Sequence, residues 1–271
     1  MLHYETLGDA KEGDTKENIV FLHGIGGTTR YWKNRVQSLA YDFRLIFVDL
    51  LGYGLSPKPW TKYTVERHVE ELYLVLRDQQ NLSIVGHSFG AIVAVAFAAR
   101  HPHLVKRLIL ISLPYFGDKE GAMRYFRKSN PADRYVMTNI AFAVFACVMT
   151  RWVLYWLLPF VLRDLPREVV QDLTQHTWRS YTSSVWDGIY RHDLLADIKH
   201  LNSDCEILFI HGESDVTAPL LGVRKLMLNH PEWQLCVLEN ADHHPLLRNS
   251  QWCVQAINSA MGDTATGYCN G

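Results

Sequence analysis

A chain of 271 residues with a formal net charge of −1 excludes several classes of protein. With 48% hydrophobic residues it is too apolar to remain disordered, and its length suits one α/β domain with an insertion. The near-neutral charge and the lack of a basic block speak against a nucleic-acid partner. Residues 1–5 do not resemble a secretory leader, and the five cysteines form no C-x-x-C pair. We therefore expect a cytoplasmic protein with reduced thiols.

The first half of the chain predicts strands and helices in alternation. Short β-branched apolar runs indicate buried strands, and apolar residues at helical spacing indicate helices. The predicted strands cover residues 2–7, 18–22, 43–49, 82–85 and 105–112, and the predicted helices cover residues 29–40, 65–79 and 91–100. This alternation is typical of a mostly parallel, doubly wound α/β sheet with helices on both faces.

The pattern breaks between residues 113 and 201, where helix-like segments rich in tryptophan, tyrosine and arginine replace the alternation. It returns with strands at 206–210 and 233–238 and helices at 220–228 and 251–261. We therefore predict a core domain formed by residues 1–112 and 202–261 and a helical cap inserted at 113–201. The small, polar residues 262–271 are expected to form a disordered tail.

Residues 139–162 of the predicted cap form a nearly uncharged stretch. Its length could span a bilayer, but Arg151, its sole ionised residue, lies in the middle. A central arginine is unfavourable in hydrocarbon by roughly 2.5–3.5 kcal/mol, and Pro159 interrupts the end of the stretch. A span would also separate the two halves of the sheet. We therefore predict two short lid helices, with transient contact to a membrane surface left open.

A G-x-S-x-G motif at residues 86–90 lies between a predicted strand and a predicted helix. That context is typical of a nucleophile elbow, in which the glycines permit a sharp turn between strand and helix. The turn exposes the Ser88 hydroxyl at a helix N-terminus, where free N–H groups favour a developing negative charge. Ser88 is therefore the predicted nucleophile.

Two later loops can supply the base and the acid that activate a serine. Asp215 follows the strand at 206–210, and the pair His243 and His244 follows the strand at 233–238. A serine hydroxyl is a poor nucleophile until a base takes its proton and a third group orients that base. The chain order Ser, Asp, His is the one found in α/β-hydrolases.

Four motifs resemble those of the α/β-hydrolase superfamily, in its serine esterase and lipase-like branch. Residues 23–27 resemble the H-G-x-G oxyanion loop, and residues 49–56 resemble the D-x-x-G-x-G-x-S loop. Asp215 matches the acid in G-x-x-D-x-x-x-P, and His243 matches the base in A-x-H-x-P. Together they cover nearly all of the chain outside the insertion. The resemblance implies the α/β-hydrolase fold.

The resemblance also implies a division of roles. Ser88 attacks the substrate, His243 accepts its proton and passes it to the leaving group, and Asp215 orients the imidazole. The backbone N–H groups of Ile25 and Phe89 form the oxyanion hole. The histidines show no metal-ligand spacing, and we expect neither a metal nor a cofactor.

Alternatives remain for the base and the acid. His244 could act as the base, although it falls on a variable position of the family motif. Glu213 lies on the same loop as Asp215, and Asp118 follows the preceding strand, which is the known alternative position for the acid. All three are kept open at this point.

Four neighbouring residues have other expected roles. His87 flanks the nucleophile but leaves the elbow in another direction, which favours a packing role. His23 and Asp49 are expected to hold their loops. Asp242 stands where the family commonly has glycine, and its charge would raise the pKa of His243 if the two side chains lay close together.

The favoured function is hydrolysis of a carboxylic ester, a lactone or a thioester of a lipophilic small molecule. Trp152, Trp156 and Phe145 of the cap are expected to face Ser88 and bind its apolar part. Serine at the elbow argues against haloalkane dehalogenases and epoxide hydrolases, which use aspartate there. An acyltransferase, a C–C bond hydrolase, a natural-product-processing enzyme or a ligand-binding receptor on this fold remain alternatives, and the oligomeric state is open.

Overall fold

The computed structural model describes residues 1–8, 16–153, 155–161 and 165–262. The tail predicted at 262–271 lies outside these residues, apart from Gly262. Within the described cysteines, Cys147, Cys205 and Cys253 carry free thiols and Cys236 is disulfide-bonded. The prediction of reduced thiols is therefore wrong for Cys236.

Seven strands form one sheet in the order β1-β3-β2-β4-β5-β6-β7. They are β1 (Tyr4–Leu7), β2 (Asn18–Leu22), β3 (Arg44–Val48), β4 (Leu82–His87), β5 (Val105–Ile111), β6 (Glu206–Gly212) and β7 (Gln234–Leu238). All neighbours pair in parallel except β1, which runs antiparallel to β3. Every residue of β4 is buried, as its continuous apolar run requires of a central strand covered on both faces. The predicted mostly parallel sheet is confirmed.

Helices cover both faces of the sheet. They are α1 (Arg30–Lys33), α2 (Val65–Leu76), α3 (Phe89–Arg100), α11 (Leu220–Met227), α12 (Pro245–Arg248) and α13 (Ser250–Met261). One apolar core lies under α2, α3 and α11, and a second lies under α1 and α13. The carboxyl ends of the parallel strands therefore meet at one edge, where the loops that follow β2, β4, β6 and β7 come together.

Helices also fill the chain between β5 and β6. They are α4 (Lys119–Arg127), α5 (Pro131–Thr138), α6 (Ile140–Trp152), α7 (Leu158–Val161), α8 (Arg167–Asp172), α9 (Trp178–Ser183) and α10 (Leu194–Lys199), with a π-helix at Ser184–Ile189. The described residues between β5 and β6 contain no strand. The insertion of helices between two strands is confirmed, whereas its division into a separate cap domain stays a prediction.

The uncharged stretch folds into the two short helices α6 and α7, as predicted. Neither these nor any other helix in the described ranges has the length and apolar character that crossing a membrane requires. One predicted helix is wrong: residues 29–40 form the short α1 and a 3₁₀ helix at Gln37–Tyr41. Trp32, Val36 and Leu39 are still buried in the core, although two short helical segments place them there instead of one continuous helix.

Candidate active site

The turn between β4 and α3 holds Ser88 in a strained backbone conformation. Its φ of 53° and ψ of −118° lie outside the regions that a serine commonly adopts. A Cβ on Gly90 would lie 2.3 Å from the Leu22 carbonyl oxygen, and one on Gly86 would lie 2.5 Å from the Gly90 oxygen. The two glycines of the motif are therefore required for strand and helix to approach this closely.

Two hydrogen bonds join Ser88, His243 and Asp215. His243 Nε2 lies 2.9 Å from Ser88 Oγ, and His243 Nδ1 lies 2.8 Å from Asp215 Oδ2. Burial alone would raise the pKa of Asp215, but the hydrogen bond and charge of His243 outweigh it and lower the pKa. An ionised Asp215 accepts from Nδ1–H, which leaves Nε2 free to accept the Ser88 proton. The geometry therefore suits removal of a proton from the Ser88 hydroxyl.

The loop after β6 fixes the Asp215 carboxylate from its other side. Asp215 Oδ1 accepts hydrogen bonds from the backbone N–H groups of Thr217 (2.9 Å) and Ala218 (2.8 Å). His211, which is fully buried, donates from Nε2 to the Ala218 carbonyl oxygen at 2.6 Å. No sequence pattern indicates this role of His211, because His211 meets the Ala218 carbonyl oxygen only once the loop has folded.

The other candidate acids and the other candidate base make different contacts. Glu213 accepts from the Asn240 N–H at 3.4 Å, and Asp118 caps α4 by accepting from the Gly121 N–H at 2.6 Å. His244 Nδ1 lies 3.4 Å from the Tyr31 hydroxyl, and burial lowers the pKa of His244 to about 3. The ring nitrogens of His243 are both occupied by Ser88 and Asp215, so none of the three takes part in that hydrogen-bond chain.

His87 and Asp242 hold the backbone around His243. His87 Nε2 donates to the His243 carbonyl oxygen at 2.9 Å, and the His87 ring stacks on Tyr31 at 4.8 Å between centroids. Asp242 accepts from the His244 N–H at 2.9 Å and pairs with Arg248. Its carboxylate is thus bound to groups other than the His243 ring. His87 packs, as predicted, and also anchors the main chain of its neighbour.

Phe89 follows Ser88 in the chain, and Ile25 lines the same cavity as Ser88. Phe89 is the first residue of α3, so its N–H has no acceptor within the helix. Ile25 follows β2 in a loop held by His23, whose Nδ1 donates to the Gly24 oxygen (2.8 Å) and whose Nε2 accepts from the Leu50 N–H (3.0 Å). The oxyanion-hole assignment of the two N–H groups stays a prediction.

Asp49 links the two glycine-containing loops. It is buried, and its carboxylate accepts hydrogen bonds from the backbone N–H groups of Thr29 (2.7 Å) and Leu55 (2.8 Å). The Asp49 carbonyl oxygen accepts from the Ser56 hydroxyl at 2.5 Å. These contacts agree with the predicted structural role of Asp49.

A comparison with family models matches residues 17–250 to the α/β hydrolase fold. The chain belongs to this family. A probable lysophospholipase, BODYGUARD 4 of Arabidopsis thaliana, is 27% identical over 262 residues, covering 86% of this chain and 61% of the relative. The chain thus spans about three fifths of that relative's length.

Solved structures share the α/β-hydrolase fold across almost the whole chain. A thermophilic esterase from Thermogutta terrifontis has a TM-score of 0.70 at 22% identity, covering 96% of this chain and 92% of its own. An N-formylmaleamic acid deformylase from Pseudomonas putida S16 has a TM-score of 0.75 at 18% identity, covering 94% and 95%. The fold is therefore common to enzymes that act on different bonds, and the reaction must be argued from the site.

A cavity of about 250 Å³ lies beside Ser88. Apart from the loops at His243 and Ile25, apolar side chains of the inserted helices and the turns between them line it: Met137, Leu165, Val169, Leu173, Tyr181 and Ile189. Trp152, Trp156 and Phe145 do not line the cavity and are 71%, 59% and 59% exposed. Their predicted placement over Ser88 is corrected, because an apolar helix does not reveal from sequence which face turns inward.

Helix α8 is fastened to the loop that follows β2. The Asp172 carboxylate is buried and accepts hydrogen bonds from the Thr28 hydroxyl (2.6 Å) and from Arg30 Nε (2.8 Å). A second pair joins Glu168 to Arg35 at 2.8 Å. Because Val169 and Leu173 line the cavity, these contacts fix part of its wall against the loop that follows β2.

Proposed function

We propose that this protein is a serine hydrolase that cleaves a carboxylic ester, lactone or thioester of a lipophilic small molecule. The observation that carries the proposal is the continuous chain of hydrogen bonds from Ser88 Oγ through His243 to Asp215. It begins at a strained turn on a helix N-terminus, where an attacking hydroxyl is exposed and a developing oxyanion is stabilised.

In the proposed reaction, Ser88 Oγ attacks the substrate carbonyl carbon while His243 Nε2 accepts the hydroxyl proton. The tetrahedral oxyanion accepts hydrogen bonds from the N–H groups of Ile25 and Phe89, each contributing roughly 2.7–4 kcal/mol in comparable sites. His243 then donates its proton to the leaving oxygen or sulfur, and an acyl-enzyme remains. A water molecule that gives its proton to His243 releases the acid and restores Ser88.

The relatives and the cavity support an ester-type substrate. Membership of a hydrolase family, with a probable lysophospholipase among the relatives, is consistent with cleavage of a carboxylic ester. The cavity wall contributed by the insertion is apolar apart from the Tyr181 hydroxyl, so it offers burial to a hydrocarbon group and no charged partner to a charged one.

Labelling by a fluorophosphonate, together with turnover of p-nitrophenyl butyrate, tests the proposal. Ser88→Ala should abolish labelling and lower turnover by several orders of magnitude with the fold intact. Ser112→Ala is the matched control: Ser112 ends the neighbouring strand with a φ of 50°, but its buried hydroxyl has no hydrogen-bond partner. Equal labelling of the Ser88→Ala protein would overturn the proposal.

A further inference from the structure

The outer face of α6 is apolar and exposed. Ala141, Phe142, Phe145, Val148 and Trp152 recur at helical spacing on this face, and all five are exposed. The opposite face carries the buried Ala143 and packs against α9. Together the five residues form what we call the α6 face.

Aromatic side chains extend the α6 face at both ends. The Tyr135 ring of α5 lies 5.6 Å from the Phe142 ring, which lies 6.4 Å from the Phe145 ring. Tyr155 and Trp156, in the turn after α6, are both exposed. Tryptophan and tyrosine are the residues that favour the boundary between hydrocarbon and water.

Three cations lie beside the C-terminal end of the α6 face. Arg151 donates to the His176 carbonyl oxygen at 2.6 Å. Burial lowers the pKa of the nearby Lys58, and the charge of Arg151 lowers it further. The Arg179 guanidinium lies over the Trp60 ring, two residues after Lys58. In the part of the chain that the structure describes, none of these three forms an ion pair with a carboxylate, and Lys58 Nζ donates instead to two backbone carbonyl oxygens of its own loop.

Among the described residues, no carboxylate neutralises the charge of this cluster through an ion pair. Asp49 is the one carboxylate that raises the Lys58 pKa, and both of its oxygens already accept backbone hydrogen bonds. Trp60, Trp152 and Trp178 are exposed around the cluster. An apolar helix face bordered by tryptophan and by unpaired cations is the combination that interfacial helices use on anionic lipid.

We propose that the α6 face docks on an anionic phospholipid surface, with its apolar side chains among the acyl chains and with Lys58, Arg151 and Arg179 at the headgroup phosphates. Helix α6 has 13 residues, a length of about 20 Å, and a bilayer core is about 30 Å thick, so the helix lies in the interface. A second copy fits less well, because a symmetric contact would bring two unneutralised cation clusters together.

Binding to vesicles tests this proposal without turnover, so its outcome is separate from that of the proposed hydrolysis. The full chain is floated with vesicles of phosphatidylcholine alone and of phosphatidylcholine with phosphatidylglycerol at 1 to 1. We expect binding to the anionic vesicles, a blue shift of tryptophan fluorescence, and loss of binding at high salt.

Matched variants separate the apolar from the charged contribution. Phe145→Ser with Trp152→Ser should lower the partition coefficient at least tenfold, whereas Tyr41→Ser with Leu228→Ser, at more exposed positions elsewhere, should leave it unchanged. Lys58→Gln with Arg151→Gln should lower it by about fivefold for each charge. Arg224→Gln with Lys225→Gln removes the same net charge from α11 and should have a much smaller effect. Thermal unfolding of each variant checks that the fold is retained.

Four results would overturn the proposal. The first is an absence of binding to anionic vesicles, and the second is equal binding by the α6-face variant and its control. The third is a dimer in light scattering that Phe145→Ser with Trp152→Ser converts to a monomer, because a second copy then covers the face. Equal affinity for zwitterionic vesicles would remove the role of the cations and would also count against the proposal.

Discussion

Ser88 and Ser112 directly follow adjacent strands of the sheet, and both have a positive φ, 53° and 50°. Only Ser88 has an imidazole within hydrogen-bond distance of its hydroxyl among the described contacts of the two residues. The residue type and the turn are therefore not sufficient for the chemistry. The loop after β7 places the His243 imidazole beside Ser88, and Ser112 has no such neighbour among the described contacts.

His243 and His244 are neighbours in the chain, but replacing each by alanine should have different effects on activity. His243→Ala should lower kcat/KM about as much as Ser88→Ala, because residues that act as a unit do not contribute additively. His244→Ala should retain most activity, because His244 contacts Tyr31 rather than Ser88. Steady-state kinetics on a p-nitrophenyl ester measures both. Exchanged outcomes would mean that His244 is the base.

The buried histidines predict a loss of stability in acid. His68 is fully buried, and burial, helped by the charge of His23, lowers its pKa to about 3. In the unfolded chain the pKa is near 6.5, so below that pH the unfolded state binds more protons. The free energy of unfolding therefore falls from about pH 6.5 towards pH 3, by up to about 1.4 kcal/mol per pH unit for this group.

His68→Leu isolates that contribution. Both ring nitrogens of His68 lack a partner, so leucine removes the proton uptake without breaking a hydrogen bond. Urea unfolding at pH 7, 5.5 and 4 should show a shallower loss of stability for the variant, by about one proton. An unchanged slope would show that His68 is not the group that takes up the proton.

Motif positions made the hydrogen-bonded residues predictable, because spacing in the chain fixes which residue stands at the end of each strand. Ser88, Asp215 and His243 could be named from three short motifs for that reason. The roles of His211 and Asp172 could not, since each depends on a partner that only folding brings near.

At the scale of elements, the attachment of α8 leads to a prediction on the inserted helices. Asp172→Asn removes the charge that pairs with Arg30 and should lower stability by about 1–3 kcal/mol, because a hydrogen bond to a charged group is lost at a buried site. We expect kcat/KM to fall about tenfold, since Val169, Leu173 and the oxyanion loop shift together.

Glu168→Gln on the same helix is the matched control. The Glu168 side chain is 36% exposed, against 1% for Asp172, so its pair with Arg35 should contribute less than about 1 kcal/mol. Thermal unfolding and steady-state kinetics compare the two variants. If the control lost as much activity as Asp172→Asn, the loss would report a general effect of charge on α8 rather than the contact with Thr28 and Arg30.

A helix or strand could be predicted where its apolar pattern is compatible with one type of secondary structure. Helix α3, alanine-rich and buried almost throughout, ends at Arg100 as expected. The region of α1 was not predictable, because Trp32, Val36 and Leu39 reach the core equally well from a helix or from two short turns. The π-helix at Ser184–Ile189 has no sequence signal that we can name.

For the whole molecule, the cavity between sheet and insertion predicts a chain-length preference. From acetyl to butyryl esters kcat/KM should rise, because each buried methylene contributes roughly 0.8 kcal/mol against apolar walls. The rise in kcat/KM should end among medium-chain esters, because an acyl chain of that length fills a cavity of about 250 Å³. A panel of p-nitrophenyl esters measures this profile, and a flat or falling profile would contradict the assigned cavity.

The arrangement of the strands was predictable for the whole molecule, whereas the orientation of the insertion was not. Parallel strands joined by helices allow few topologies, so alternation alone indicated the sheet. Helix α6 has apolar residues on every side, so its sequence does not indicate which face packs against the protein. Ala143 turned inward and Phe145 outward, which is why the residues that line the cavity come from α5, α8, α9 and the segments beside them.

The longest connection between two strands leaves the sheet after β5 and re-enters it at β6, which is the next strand across. Both ends of the excursion are therefore held at fixed neighbouring points. The entropy of closing such a loop grows only logarithmically, so doubling its length costs about 0.6 kcal/mol. Evolution can accordingly lengthen, shorten or exchange this segment with little effect on the strands that carry Ser88, Asp215 and His243. Substrate range and reaction chemistry can then diverge at different rates within one lineage.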